Sequence, residues 1–498
     1  MCLSRPTCLT PWAHDPWGDA VHASAEGEAE GMKIFKTVAL AEASSDTTVM
    51  LKLSVWRANL DAEQADKFWM IVHALPASYV RALASSREAM ASALGLSSPG
   101  EVSIGPDQLG RVTSISKAEI FRRGGEVFIL AFRRRRDQSR TWVLGEDLEA
   151  TEEVIPSAPG HLYLYALSGA RGIPDVSEFI DAVEGACGAS LKKWEFQARQ
   201  FMELKQEGRQ ESLEITSAKV SASQLLAEKQ SRVLATLIKS APGGLILADI
   251  EKQLKRDKVD DVDGHLTALQ ECGLISSEYA VVCAKNQQQM ARFADAEIVR
   301  EMSQKGVRCG CGRKLEDERI EEAVAITDLG RELLDKSTWM SVLLTEELRN
   351  LGVPEDRIMM EYSTGGDEMD CIADINGEVI LFELKDKEFS LREAYSFAAK
   401  VGLVQPRHPV IVTTEKVGGD AKEHFQKAEV AGRRSQVRRH PQGTLPTLFI
   451  EGMENLRPQL EELASSVHRG YAVQVLREVM PLAFISPAHV LDGIVMEP

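Results

Sequence analysis

The sequence predicts a multidomain α/β protein, and three observations carry that expectation. The chain has 498 residues, 27% charged and 44% hydrophobic, a globular composition with room for about three domains of ordinary size. Strand-like apolar runs such as VFILAF (Val127–Phe132) alternate along it with stretches of helical periodicity. Glycine, proline and Asn-Gly turn signals punctuate both.

Composition also excludes classes. Eight cysteines are few for this length and do not form a secreted scaffold, so a reducing cytoplasm is expected. No apolar run approaches the ~18 residues of a membrane helix, and no membrane partner is expected. The formal net charge of −17 argues against polyanion binding over the whole surface, while leaving room for a local basic groove.

Residues 1–31 are rich in Ala, Gly and Glu without periodicity and read as a disordered leader; MKIFKTVALAEA then opens the structured chain at Met32. Residues 32–215 read as a mixed α/β domain of unassigned role. VFILAF follows a Gly124-Gly125 turn, HLYLYAL follows Pro156 and Pro159, and a helical stretch over 176–208 ends in KQEGRQES, read as a linker. No Gly-rich phosphate loop, nucleophile triad or paired metal ligands stand out here. The run Arg133–Arg136 ends a strand, where it is either a solvated hairpin end or a phosphate-contacting edge.

Residues 225–300 carry three amphipathic stripes. Val233, Leu234, Leu237 and Ile238 form the first; Leu247, Ile250 and Leu254 the second, after Pro242-Gly243-Gly244. The third carries Leu266 and Leu269 and stops at Cys272-Gly273, where glycine suits a left-handed position after a helix. LISSEYAVVCAK then reads as a short hairpin. HLTALQECGLI resembles the third helix and exit of winged helix-turn-helix modules, a resemblance that covers about sixty residues and implies a DNA-facing helix. The start of that helix instead carries Asp257, Asp260, Asp261 and Asp263, which suit the helix dipole and repel phosphate, so a dimerising or domain-bridging element is expected.

Residues 301–335 read as a Cys-Gly-Cys linker. Cys309 and Cys311 join Cys283 as candidate thiolate ligands, yet tetrahedral zinc needs four ligands and no histidine lies between Cys283 and Cys311. A degenerate zinc knuckle with no bound zinc, or a turn where glycine matters more than sulfur, is the expectation.

The chemistry is concentrated in residues 336–452. The pattern predicts helix 339–351, strands 357–362, 369–375 and 378–385, helix 391–404, strand 409–414, helix 419–430 and strand 447–451. Asn376-Gly377 marks a tight hairpin. Leu391, Ala394, Tyr395, Ala398 and Val401 share one helix face. In EVILFELKD, alternation puts Glu383 and Lys385 side by side on one face of an otherwise apolar strand, a costly arrangement without a purpose. Asp370 and Asp374 share a face of the neighbouring strand. Glu347 falls between Leu343 and Leu351 within the stripe of the preceding helix. Carboxylates beside a lysine suit magnesium- or manganese-assisted phosphodiester hydrolysis, in which hard oxygen ligands hold the ion and the lysine serves water or phosphate.

MDCIADINGEVILFELK resembles the PD-(D/E)xK nuclease superfamily, the restriction-endonuclease-like fold, over roughly 337–452. The resemblance implies an α-β-β-β-α-β core in which Asp370 matches the lone acid, Glu383 and Lys385 match E-x-K, and Glu347 matches the helix acid. Asp370 and Glu383 would then hold the metal. Asp367 and Asp374 remain alternatives to Asp370, and Glu361 could line the site.

Arg433, Arg434, Arg438 and Arg439, with His440, lie between the last helix and last strand and are candidates for nucleic-acid contacts or a solvated basic loop. Residues 453–498 read as a helical extension, with helix over 454–468, that packs on the preceding domain or makes a homodimer contact. The expected activity is a metal-dependent endonuclease with DNA as partner, in restriction, phage defence or repair. The alternatives are a winged-helix regulator with a non-catalytic nuclease-like domain, and a sensor whose N-terminal domain gates the nuclease.

Overall fold

The computed structural model describes residues 51–94, 97–99, 115–123, 126–134, 159–169, 176–210, 214–241, 243–254, 259–364, 366–435 and 444–479, all in a compact unit starting at Val49. The leader 1–31, the segment MKIFKTVALAEA, Arg135, Arg136, Asp257, Arg438, Arg439 and His440 lie outside the described residues. Within the unit the chain is a mixed α/β protein built on three sheets.

The first sheet contains β1 (Lys52–Leu60), then, after α1 (Ala62–Asp66), α2 (Phe68–Ala74) and α3 (Ala77–Leu94), β2 (Ile115–Arg123), β3 (Glu126–Arg134) and β4 (Gly160–Ser168); α4 (Ser177–Cys187) leads to β5 (Lys192–Trp194). The order is β2-β3-β4-β1-β5, antiparallel throughout. Alternation divides β3 between two cores: Phe128, Leu130 and Phe132 pack with α1, α2 and α4, whereas Val127, Ile129 and Ala131 pack on the opposite face. Asp61 and Gln64 close a capping box that starts α1.

The segment expected to be a linker is not one. After α5 (Arg199–Glu207), the short β6 (Arg209–Gln210) joins the third sheet as an edge strand, and Phe201 is fully buried in that sheet's core.

The middle region runs α6 (Ser217–Ala227), α7 (Lys229–Ser240), β7 (Leu245–Ile246), α8 (Leu247–Gln253), α9 (Val262–Glu271), β8 (Ile275–Val282), β9 (Gln289–Phe293), α10 (Ala296–Gln304), β10 (Arg319–Ile326) and α11 (Asp328–Leu334). Gly273, at φ 72°, ends α9 where the sequence places a left-handed residue. Ile275–Val282 is one continuous strand and not a hairpin: no turn residue interrupts it, and the chain reverses only after Cys283. The sheet order is β7-β10-β8-β9, so residues 301–335 supply a central strand instead of a linker.

The third sheet follows α12 (Thr338–Asn350). Its strands are β11 (Ile358–Thr364), β12 (Asp367–Ile375), β13 (Glu378–Lys385), β14 (His408–Thr413) and β15 (Leu448–Glu451), with α13 (Leu391–Val404) and α14 (Gly419–Ser435) as crossovers. The order is β15-β14-β13-β12-β11-β6; β13, β14 and β15 are parallel and the rest antiparallel. Asn376 (φ 49°) and Gly377 (φ 83°) make the two-residue β12–β13 turn, whose positive φ values explain Asn-Gly. One face of the sheet packs Ile380, Phe382, Val410 and Val412 against α12; the other packs Leu381 and Ile411 against Phe397 of α13 and Phe425 of α14. A capping box of Ser390 and Glu393 starts α13. Tyr395 is exposed on that helix, so its buried stripe runs through Ala394, Phe397 and Val404.

The last helix, α15 (Leu456–Val479), is longer than its sequence pattern suggests. Leu456, Leu460, Leu463 and Val467 join the core of the third sheet, whereas Ala472, Val475, Leu476 and Val479 cover the first. One amphipathic helix thereby serves two cores. Arg133 pairs with Glu478 of α15 at 2.8 Å, which gives the first residue of the tetra-arginine run a structural partner.

Candidate active site

The pairing of β12 and β13 sets the site. Cys371 lies opposite Phe382, so the next step in the ladder puts Asp370 opposite Glu383. The Leu384 N–H donates to Asp370 Oδ2 at 2.6 Å, which fixes that carboxylate over the neighbouring strand. Lys385 Nζ lies 2.9 Å from Glu383 Oε1 and 3.8 Å from Asp370 Oδ2. The sequence therefore paired these three groups, and the structure brings their tips together.

A second lysine completes the cluster. Lys400 of α13 lies 2.7 Å from Glu383 Oε2 and 4.0 Å from Asp370 Oδ1. It is three residues past Phe397 on the buried side of the helix, where a charged side chain needs a partner. That placement was its only signal in the sequence, and it is a weak one, because a lysine can also snorkel to solvent.

Glu361 enters from β11. Its φ of 46° breaks strand alternation, so that Met359 and Tyr362, three residues apart, pack in the same core. The Glu361 carboxylate accepts a hydrogen bond from Ser341 Oγ of α12 at 3.0 Å. Burial first, and then hydrogen bonding with Glu368, push Glu361 up to about 7; the Ser341 hydrogen bond opposes them, and the charge of Asp370 adds a smaller push upward. Asp370 is pushed up to about 6, first by burial and then by the charge of Glu383, with Lys385 and Lys400 opposing. Burial lowers the Lys385 pKa, but Asp370 and Glu383 outweigh it, and the net shift is upward.

Glu347 is elsewhere. It lies 3.8 Å from Arg457 of α15, and its charged neighbours are Arg457, Glu346 and Glu461, none of them in the Asp370–Glu383 cluster. The α12 side chain that reaches the acidic group is Ser341. Asp374 is also committed elsewhere: buried, it takes Arg357 at 3.0 Å and the N–H groups of Ala198 and Gly377. Asp367 is exposed at the start of β12.

Asp386, expected to be a solvated exit from β13, is instead a tie. It lies 3.0 Å from Arg232 of α7 and accepts from Trp339 Nε1 at 3.1 Å, and Arg232 stacks over the Trp339 ring. The middle region is thereby fastened to the strand that carries Glu383 and Lys385. Arg433 and Arg434 fall in the last turn of α14 and not in a loop. Cys283, Cys309 and Cys311 come together on the second sheet, with Glu318.

The oxygen donors at the third sheet are of the kind that hard divalent cations take. Asp370 and Glu383 face each other, and Glu361 and Glu368 extend the acidic group from β11 and the start of β12. Carboxylates forced together raise one another's pKa, and a divalent cation would relieve that repulsion. Asp370 and Glu383 are donors of that kind, and a cation held by both would take the place of Lys385 or Lys400 on a Glu383 oxygen.

No protein-family model and no curated protein matches the chain. Among solved structures, it is similar to protein VC1899 from Vibrio cholerae at 14% identity and TM-score 0.28, over 54% of this chain and 58% of that one. It is also similar to a protein of unknown function, AF1548, at 17% identity and TM-score 0.18, over 32% of this chain and 94% of that one. At such scores neither similarity carries a functional argument.

Proposed function

We propose that the third sheet carries a metal-dependent nuclease site, with Asp370 and Glu383 as metal ligands and Lys385 and Lys400 as the charged groups facing phosphate. The observation that carries this reading is the meeting of two carboxylates and two lysines at the open end of the β12–β13 pair, with each lysine 2.7 to 4.0 Å from both carboxylates. It also rests on the resemblance to PD-(D/E)xK nucleases, with their α-β-β-β-α-β order, and is drawn to DNA by the winged-helix-like stretch beside it. Those two supports are analogies; the cluster is chemistry.

Asp370 and Glu383 would hold a divalent cation, which would supply Lewis-acid polarisation of a phosphodiester. Lys385 would hold the attacking water or stabilise negative charge that builds on the phosphate oxygens. Lys400 adds a second positive charge to the same point. Glu361, with a pKa near neutrality, is suited to hold or move a proton at its carboxylate.

The test is cleavage of plasmid, single-stranded DNA and RNA by the full chain with magnesium or manganese, against the same reactions in a chelator. Glu383→Ala and Lys385→Ala are expected to abolish cleavage. Equal cleavage by wild type and both variants would assign the activity to a contaminant and remove the nuclease reading.

A cleft favours a second reading, in which the N-terminal region senses a ligand. A cavity of about 300 Å³ lies between β1, β5 and the Asn376 turn, lined by Lys52, Lys193, Trp194, Arg357 and His468. Gating would be seen as low basal cleavage that rises when Trp194→Ala or a bound ligand alters this cleft. A truncation at residue 215 cannot test it cleanly, because β6 and Phe201 belong to the third sheet.

A further inference from the structure

We propose that Cys283, Cys309, Cys311 and Glu318 bind one zinc ion in a structural site on the second sheet, independent of the Asp370–Glu383 cluster. One ligand atom from each of these residues lies within 4.8 Å of the others. Around tetrahedral zinc, with Zn–S near 2.3 Å, neighbouring sulfurs are about 3.8 Å apart. Inward movement of about one ångström converts the observed group into a coordination shell.

Each ligand is positioned by local structure. Cys283 directly follows β8, and its turn closes through Cys283 N–H to Gln288 O at 2.9 Å and Gln287 N–H to Cys283 O at 2.8 Å. Cys309 and Cys311 sit in a tight reversal flanked by the Arg308–Lys314 bridge. Gly312, at φ 95°, lets that reversal close, with its N–H donating to Cys309 O at 2.7 Å. Glu318 immediately precedes β10, and because Val282 lies opposite Arg319, Glu318 faces Cys283 across the strand pair. The fourth ligand is invisible to a count of cysteines and histidines because strand pairing supplies it.

Burial separates this group from an accidental cluster. Cys283 is 0%, Cys309 3% and Glu318 6% exposed. Among the described residues no lysine or arginine lies within ion-pair distance of Glu318, although the charge of Arg313 acts on it from farther away; the buried carboxylate takes the Ala284 N–H at 2.6 Å and the Cys311 thiol at 2.9 Å, with the Cys309 thiol also in hydrogen-bond reach. The backbone donor holds one carboxylate oxygen and leaves the other aimed at the sulfurs, an outer contact of the kind that orients metal ligands. All three cysteines are free thiols, and soft sulfur donors select zinc over magnesium.

The site also has structural work to do. The apolar core beneath it is small, with Val281, Val299 and Leu315 fully enclosed and Phe293 and Met302 at its edge. A metal crosslink between the β8 turn, the Cys309–Cys311 reversal and the start of β10 would stabilise what so few apolar side chains cannot.

The experiment is metal analysis of the reduced full-length protein, followed by cobalt titration of the chelator-treated chain. About one zinc per chain is expected, displaced by a thiol-modifying mercurial, and cobalt is expected to give a thiolate charge-transfer band with tetrahedral absorption. Cys283→Ser and Cys309→Ser should each lose the metal, Glu318→Gln should lower its occupancy, and Cys272→Ser should retain it. Failure of reduced wild type to take up zinc or cobalt would overturn the proposal, as would full occupancy in a Cys309→Ser/Cys311→Ser double variant. Cysteines found as disulfides in the isolated protein would overturn it too. The cobalt spectrum needs no variant to fold, and none of these readouts depends on nuclease activity.

Discussion

Lys400 Nζ lies 2.7 Å from Glu383 Oε2 while Lys385 Nζ lies 2.9 Å from Oε1, so each oxygen of one buried carboxylate has its own lysine. The two cations come from different elements, β13 and α13, and converge only because the helix folds back over its own strand. If the site cleaves phosphodiesters, Lys400→Met should lower kcat by about 10²-fold, the order expected for losing one preorganised charge. Single-turnover cleavage under saturating enzyme measures it; turnover equal to wild type would remove Lys400 from the site.

Glu361 predicts a pH dependence of stability. Its carboxyl is raised to about 7 in the folded chain from an ordinary value of 4.5. A raised acid contributes stability that is fully present below its unfolded pKa and is lost as pH rises through its folded pKa. Glu361→Gln should therefore raise Tm relative to wild type at pH 8, and the gain should shrink to nothing near pH 4.5. Thermal melts at intervals across that range check it; a constant difference would mean that Glu361 is not protonated in this window.

The same repulsion predicts a metal effect. Magnesium or manganese should raise the wild-type Tm, and more at pH 8 than at pH 5, because Asp370 is raised to about 6 and must be ionised to bind. Asp370→Asn should lose most of that response. An equal response in the variant would place the cation elsewhere.

Asp374 and Arg357 form a buried ion pair at 3.0 Å that also carries the Asn376-Gly377 turn through the Gly377 N–H. Removing one partner of such a pair costs about 3–5 kcal/mol, since the other charge stays buried. Asp374→Ala should therefore lose stability on that scale in chemical denaturation. A near-neutral Asp374→Ala would show that the pair is solvated.

Glu347 decides between the helix acid expected from the sequence and the position that it takes. Facing Arg457 at 3.8 Å, with the Arg457 side chain 66% exposed, it makes a weak ion pair. Glu347→Gln should leave cleavage within about twofold of wild type and change stability by less than ~1 kcal/mol. A large loss of turnover would restore Glu347 to the site.

The elements of the third sheet were legible because each has a local cause. Asn376-Gly377 needs two positive φ values, β13 is an apolar run closed by Glu383 and Lys385, and Leu391–Val404 begins at a Ser390–Glu393 capping box. Alternation then put Glu383 beside Lys385, and the tight turn made Asp370 their neighbour. Periodicity failed where a second element decides a residue's surroundings. Glu347 fits its helix stripe as well as Ser341 does, and only packing shows that Arg457 takes the first while Glu361 takes the second.

By itself, then, the sequence determined the kinds of elements, the tight turns and the charged pair on β13, all of which depend on residues within a few positions of one another. Tertiary structure alone decided that Lys400 reaches Glu383, that Glu318 joins Cys283, Cys309 and Cys311, and that α15 spans two cores. Those relationships join residues that belong to different elements. They follow from strand register and helix packing, which no local pattern encodes.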